Sequence, residues 1–345
     1  MVSMKQIAEL CDVSVATVSK ALNGHKDIGE ETRIAIQQKA SELGYMTNSA
    51  ARMLKTNRSY NLGVLFEDEG GRGLTHEFFA SVLEGFKTEA EKQGYDITFI
   101  SRNLLNSSSS SSSFLQHCNY RGFDGVGIIC VNFFDPDVQK LIQSNIPVVT
   151  IDHMFNNHIS VLSDNINGLE SLVNYAFKKG HRHIAYIHGE DTSVTRNRLP
   201  GFYRACEDLG LMVPESYVKN ANYYDADSAF KATAELISMD DRPTCIIFPD
   251  DFSLIGGIRA INEAGLRFPE DISVMGYDGI VVSQVMSPRF TTYHQNAGLM
   301  GETAAAKLIE LIEHPSTTIL DRIIVKGEIV EGESVCNIGS SAQSG

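Results

Sequence analysis

The apolar pattern changes character near residue 60. Before it, three short helices are predicted. Residues 4–11 (MKQIAELC) place Ile7, Ala8, Leu10 and Cys11 on one side, with Ser3 as N-cap. Asp12-Val13 is a tight connection. Ser14 caps a second helix, Val15–Leu22, which stops at Asn23-Gly24. A third helix runs from about Glu30 to Leu43 and ends at Gly44. Helix, short turn, helix and a supporting helix make a helix-turn-helix. Asn48–Lys55 (NSAARMLK) reads as a marginal helix, below the ~12–15 residues that persist alone in water. Residues 56–59 are a polar linker.

After residue 60, short buried-strand runs alternate with helical stretches. Asn61–Phe66, Tyr95–Ile100, Gly125–Cys130, Val148–Asp152, Ile184–His188, Thr244–Phe248 and Ile272–Tyr277 read as strands, with a helix Phe78–Gln93 ending at Gly94. The alternation predicts an α/β fold of parallel, doubly wound sheets. About 280 residues require two such sheets, with a cleft between them. Ser107–Ser113 is a run of seven serines, a low-complexity stretch to which no function is attached.

The net charge of −14 at first opposes a polyanionic partner. Its distribution removes the conflict. Residues 1–60 carry eight Lys/Arg against six acids, a surplus of +2 that leaves −16 for the rest. Only the first segment suits DNA. Its second helix presents Val15, Ala16, Thr17, Ser19 and Lys20, an outer face small enough to enter the major groove. Ala and Val methyls can touch thymine methyls there, and Thr and Ser hydroxyls can bond phosphates. An ordinary small helical bundle would not need so small and polar a face.

Six cysteines lie scattered without C-x-x-C spacing, against zinc sites or disulfides. No apolar run reaches membrane-spanning length, and MVSMKQIAEL lacks a secretory apolar region, so the expected location is cytoplasmic.

At VATVSKALNG (residues 15–24) the sequence resembles the lactose/galactose-repressor (LacI/GalR) family. The likeness continues through TRIAIQQKASELGY, TNRSYNLGVLF, FFASVLEGFKTEAEKQGYDI, SDNINGLESLVNYAFKKGHRHIAYI, RNRLPGF, PEDISVMGYDG and SPRFTTYHQN, nearly the whole chain. It implies a helix-turn-helix headpiece (1–46), a hinge helix and linker (47–59) and a two-subdomain core (60–339) like a periplasmic sugar-binding protein. The subdomains would take 60–159 with 292–322, and 160–291 with 323–339; a polar tail (340–345) follows. By resemblance Val15, Ala16 and Lys20 read bases, with Ser14, Thr17, Ser19 and Asn23 alongside. Leu54 wedges into the minor groove, where an apolar side chain unstacks a base step. Asn48, Ala51 and Arg52 face DNA from the hinge.

The resemblance also implies an effector cleft lined by Phe79, Asp164, Arg198, Tyr224, Asp250, Asp251, Asp278 and Gln295. Asp164, Asp250-Asp251 and Asp278 follow strands, where doubly wound sheets bind ligands. Carboxylates and a guanidinium each bond vicinal hydroxyls, which suits a sugar. Tyr224 matches an aromatic position that stacks on a sugar face. Asp250 departs from a frequent asparagine of the family, which puts any named sugar in doubt and disfavours an anionic effector.

His181 and His183 (GHRHIAYI) match a structural motif of the family, so no metal or cofactor is expected. No nucleophile–base pair or phosphate loop supports an enzyme. The expectation is a homodimeric repressor on a pseudo-palindromic operator, with carbohydrate genes as targets. A sugar-binding module without a DNA role conflicts with the intact headpiece. A global carbon regulator with a phosphoprotein co-regulator, or a purine-like effector, are the alternatives within the family.

Overall fold

The computed structural model describes residues 2–22, 25, 27–45, 53, 56–68, 71–102 and 113–338. It divides into two compact units, Met1–Ser59 and Tyr60–Gly345.

The first unit holds α1 (Met4–Leu10), α2 (Val15–Leu22) and α3 (Glu30–Glu42). Ser3 and Gln6 form a reciprocal capping box at the start of α1. The Ser14 hydroxyl accepts from the Thr17 amide at 3.0 Å and so caps α2. Ile7, Ala8, Val18, Ala21, Ile36 and Ala40 are buried where the three helices meet. A core of six small and medium side chains lets short helices approach closely.

The second unit contains two sheets. Their elements are β1 (Asn61–Phe66), α4 (Glu77–Lys92), β2 (Asp96–Phe99), α5 (Phe114–Arg121), β3 (Gly125–Cys130), α6 (Pro136–Ile142), β4 (Val148–Ile151) and β5 (Ile159–Ser163). There follow α7 (Asn165–Lys178), β6 (Ile184–His188), α8 (Ser193–Asp208), β7 (Val218–Asn220), α9 (Ala226–Ile237), β8 (Cys245–Ile247), α10 (Asp251–Glu263) and β9 (Ser273–Asp278). The last are α11 (Val281–Val285), β10 (Thr291–His294), α12 (Ala297–Glu313), β11 (Arg322–Val325) and β12 (Glu328–Val330). A short 3-10 turn, Gly73–Thr75, precedes α4. Ser113, the last serine of the run, caps α5 with Gln116.

One sheet has the order β11-β5-β4-β3-β1-β2, all parallel; the other is β12-β10-β9-β8-β6-β7, parallel except for β12. Helices cover both faces of each. In β6, Ile184 and Tyr186 face α7 and α8 while Ala185 and Ile187 face α9 and α10, the period-two alternation of a sheet buried on both sides.

The chain crosses between the two lobes three times, after β5, after β10 and after β11. The crossings expected near residues 160, 292 and 323 each move by a few residues. β5 pairs with β4 and β11, β10 pairs with β9, and β11 completes the first sheet. Membership is decided by long-range strand partners, which hydropathy does not reveal.

Candidate functional site

On the first unit, α2 turns Ser14, Val15, Ala16 and Lys20 outward, with Thr17 and Ser19 half-buried beside them. Val18 and Ala21 form its inner face. Lys20 Nζ donates to Asp27 Oδ2 at 2.5 Å, and this bond holds the Asp27 carboxyl below its ordinary range. This exposed lysine of α2 therefore has a carboxylate partner within its own unit. Asn23, Asn48, Ala51, Arg52 and Leu54 lie outside the described residues.

In the second unit, a cavity of about 280 Å³ opens where the C-terminal ends of strands from both sheets meet. In each sheet the strand order reverses at the first strand, between β1 and β3 and between β6 and β8. Side chains beyond such switch points form ligand crevices. Six predicted residues line this one: Phe79 from α4, Arg198 from α8, Tyr224 before α9, Asp250 before α10, Asp278 at the end of β9 and Gln295 after β10.

Asp278 sits at φ 94°, a costly conformation for a non-glycine residue. Its Oδ1 accepts from Gln295 Nε2 at 2.6 Å. Burial pushes its carboxyl up to about 7, against the pull of Arg198. Asp250 caps α10: Oδ1 accepts from the Ser253 amide at 2.7 Å, and Oδ2 from the Ser253 hydroxyl and the Tyr224 amide. Burial raises its pKa as well. Arg198 is 3% exposed, with Nε donating to Asn165 Oδ1 and Nη1 to the Pro249 carbonyl, both at 2.8 Å. Its guanidinium lies 3.5 Å from the centre of the Tyr277 ring.

Three of the expected cleft residues have surroundings that their positions in the sequence do not reveal. Asp251 does not reach the cleft. It is fully buried below it, where Oδ2 accepts from the Ile280 amide at 2.9 Å and Oδ1 packs against Gly276. Asp164 stands at the first crossing, and both its oxygens are taken by Asn167 Nδ2, at 2.8 and 2.9 Å. Tyr224 lines the cleft but has no free ring face. His76 stacks on it at 4.2 Å and Phe252 at 4.3 Å, on opposite faces since those two rings do not touch.

The structure adds residues that the sequence reading missed. Asp152, at φ 52°, directly follows β4 and lines the cleft, with its oxygens bonded to the amide and hydroxyl of Ser163. Its position directly after a strand is the signal that identified Asp278. Tyr223 lines the cleft and bonds Thr195 at 2.8 Å. His76 and Arg72 contribute from the other lobe, on a turn with no sequence signature. His181 is a structural residue, bonded to the Thr244 hydroxyl and the Cys336 carbonyl. No helix among the described residues is long and apolar enough to cross a membrane.

A helix-turn-helix followed in one chain by a two-lobed, doubly wound core defines a class of DNA-binding transcription regulators. Residues 3–48 match the profile of bacterial regulatory proteins of the lacI family, and residues 173–335 that of the periplasmic binding protein-like domain. The chain belongs to the lacI family. It is 28% identical over 342 residues to the HTH-type transcriptional repressor PurR of Escherichia coli O1:K1, covering 96% of this chain and 98% of that one. Its fold is similar to a lac repressor dimer bound to operator and the anti-inducer ONPF (TM-score 0.77, 23% identity, 97% and 99% coverage). It is also similar to a complex of the transcriptional regulator CelR with cellobiose (TM-score 0.70, 24% identity, 97% and 100% coverage). A ribose-bound lacI-family regulator from Enterococcus faecium shares the core (TM-score 0.68, 22% identity, 81% and 99% coverage).

Proposed function

We propose that this DNA-binding transcription repressor is switched by a sugar bound in the cleft of its core. One observation carries the reading. Asp278, Gln295, Arg198 and Asp152 converge at the strand ends of both lobes. They offer paired acceptors and a guanidinium, the groups that bond vicinal hydroxyls. CelR with cellobiose and the ribose-bound regulator support it by likeness.

The DNA half rests on α2, with Val15, Ala16 and Lys20 contacting bases and Ser14, Thr17 and Ser19 phosphates. Asn23, Asn48, Ala51, Arg52 and Leu54 extend this surface in the sequence. A homodimer fits a two-fold operator, with half-sites about 34–36 Å or a multiple apart. A purine-like effector is the second reading, favoured by the rings of Phe79 and Phe133 on the cleft wall and by the likeness to PurR.

Fluorescence anisotropy of the protein on DNA from its own promoter region, titrated with salt and then with sugars and purine bases, tests both halves. Salt-dependent, sequence-selective binding that a sugar shifts is expected. No selectivity over random DNA sinks the repressor reading; a shift by a purine base and by no sugar sinks the sugar.

A further inference from the structure

The charge of the cleft exceeds what a neutral sugar requires. Six carboxylates line it against two guanidinium groups. Four of the six have partners that tie them into the protein frame. Glu67 pairs with Arg102, and Asp68 accepts from the Arg72 and Gly73 amides. Glu190 accepts from the Tyr223 amide, and Asp250 holds three hydrogen bonds as the cap of α10. Among the described residues, the Asp152 carboxylate accepts only from Ser163 and the Asp278 carboxylate only from Gln295.

Among the described residues, no cation lies within ion-pair distance of Asp152, Asp250 or Asp278. Arg198 is shared electrostatically among all three, and its own bonds go to Asn165 and Pro249. Arg72 lies at the rings of Tyr224 and Phe252, 4.9 and 5.4 Å from their centres. His76 adds no charge, because burial drops its pKa to about 4.

A second observation points into the same corner. Gln295 is 4% exposed and lines the cleft, yet its Oε1 has no hydrogen-bond partner. Nε2 donates to Asp278 Oδ1, which makes Oε1 the other end of the same amide. Oε1 therefore points away from that bond, and Asp278 Oδ2 accepts from no described residue. Among the described residues no donor meets either acceptor, and both belong to side chains that line the cleft. Buried acceptors left unmet are costly, and a buried carboxylate without a counter-charge more so.

We propose that the effector is an aminated sugar, whose ammonium group is held by Asp278 Oδ2 and Gln295 Oε1. This rests on the reading of the cleft as a sugar site. An ammonium carries three N–H donors and one positive charge, so it meets both acceptors and the surplus acidity together. The hydroxyls of the ring are left for Arg198 and Asp152. Phosphorylated sugars are excluded by the same surplus.

Isothermal titration calorimetry of the full chain tests this with D-glucosamine, D-galactosamine and D-mannosamine. Each is compared with its parent hexose and its N-acetyl derivative, which keeps the N–H but loses the charge. One amine is expected to bind at least about tenfold more tightly than both its counterparts, the difference between a charge-assisted and a neutral hydrogen bond. Asp278→Asn shrinks that ratio, and Gln295→Leu does the same in case the first variant fails to fold. A parent or acetylated sugar binding as tightly as its amine overturns the ammonium and leaves the sugar reading standing. No binding by any compound of the panel overturns both.

Discussion

Asp278 shows how one residue can carry several demands. It ends a buried strand, adopts a left-handed φ, and has its carboxyl raised by burial from 3.8 to about 7. In the folded chain it therefore holds a proton through a range where the unfolded chain has lost it. Stability from this group is present at about pH 4 and falls as pH rises toward 7, because the native state binds more protons there. Thermal melts of the ligand-free protein across that window should show Asp278→Asn declining less than the parent; parallel curves would remove Asp278 as the source. The neighbouring Asp251 warns against reading acids from position alone. Both acids of the pair Asp250-Asp251 follow β8, but the first caps α10 at the cleft and the second turns beneath it to the Ile280 amide. Consecutive residues at a helix start point in different directions, and the sequence does not say which one faces the ligand.

At the scale of elements, the headpiece was legible almost to the residue. Ser3, Ser14 and Gly44 mark ends that local chemistry determines, and α1, α2 and α3 form where that punctuation predicts. The lobes were legible as strands and helices but not as partners. β5 and β11 join the first sheet and β10 the second, through pairings distant in sequence. What the sequence does not show on α2 is the Lys20–Asp27 pair. Lys20→Ala should weaken specific operator binding by about 1–3 kcal/mol, the worth of a good base contact. Asp27→Asn should strengthen binding several-fold by freeing the lysine. Measured by anisotropy at fixed salt, a weaker complex for Asp27→Asn would mean that the pair orients Lys20 instead of competing for it.

For the whole core, the cleft was predictable as a place but not as a contact between lobes. His76, on the turn before α4, stacks on Tyr224, which in turn stacks on Phe252 of the other lobe. Glu77 Oε1 accepts from the Val281 amide at 2.7 Å nearby. These contacts tie the two sheets together at the rim. A double-mutant cycle of His76→Ala and Tyr224→Ala, read by denaturant unfolding, should give a coupling energy of about 0.5–1.5 kcal/mol, as for other ring pairs. Strictly additive losses would show that the stack joins the lobes in name only.

The three crossings also set an order on synthesis. The inner face of the first sheet, with Leu62, Val64, Val149 and Val161, is covered by α4 together with Met300, Ala304 and Leu308 of α12. Its edge strand β11 comes later still. A ribosome must therefore release nearly the entire chain before the lobe it began first can close. Until then that apolar face stays open to chaperones, and a message truncated before α12 yields a protein bound for aggregation rather than a smaller, working regulator.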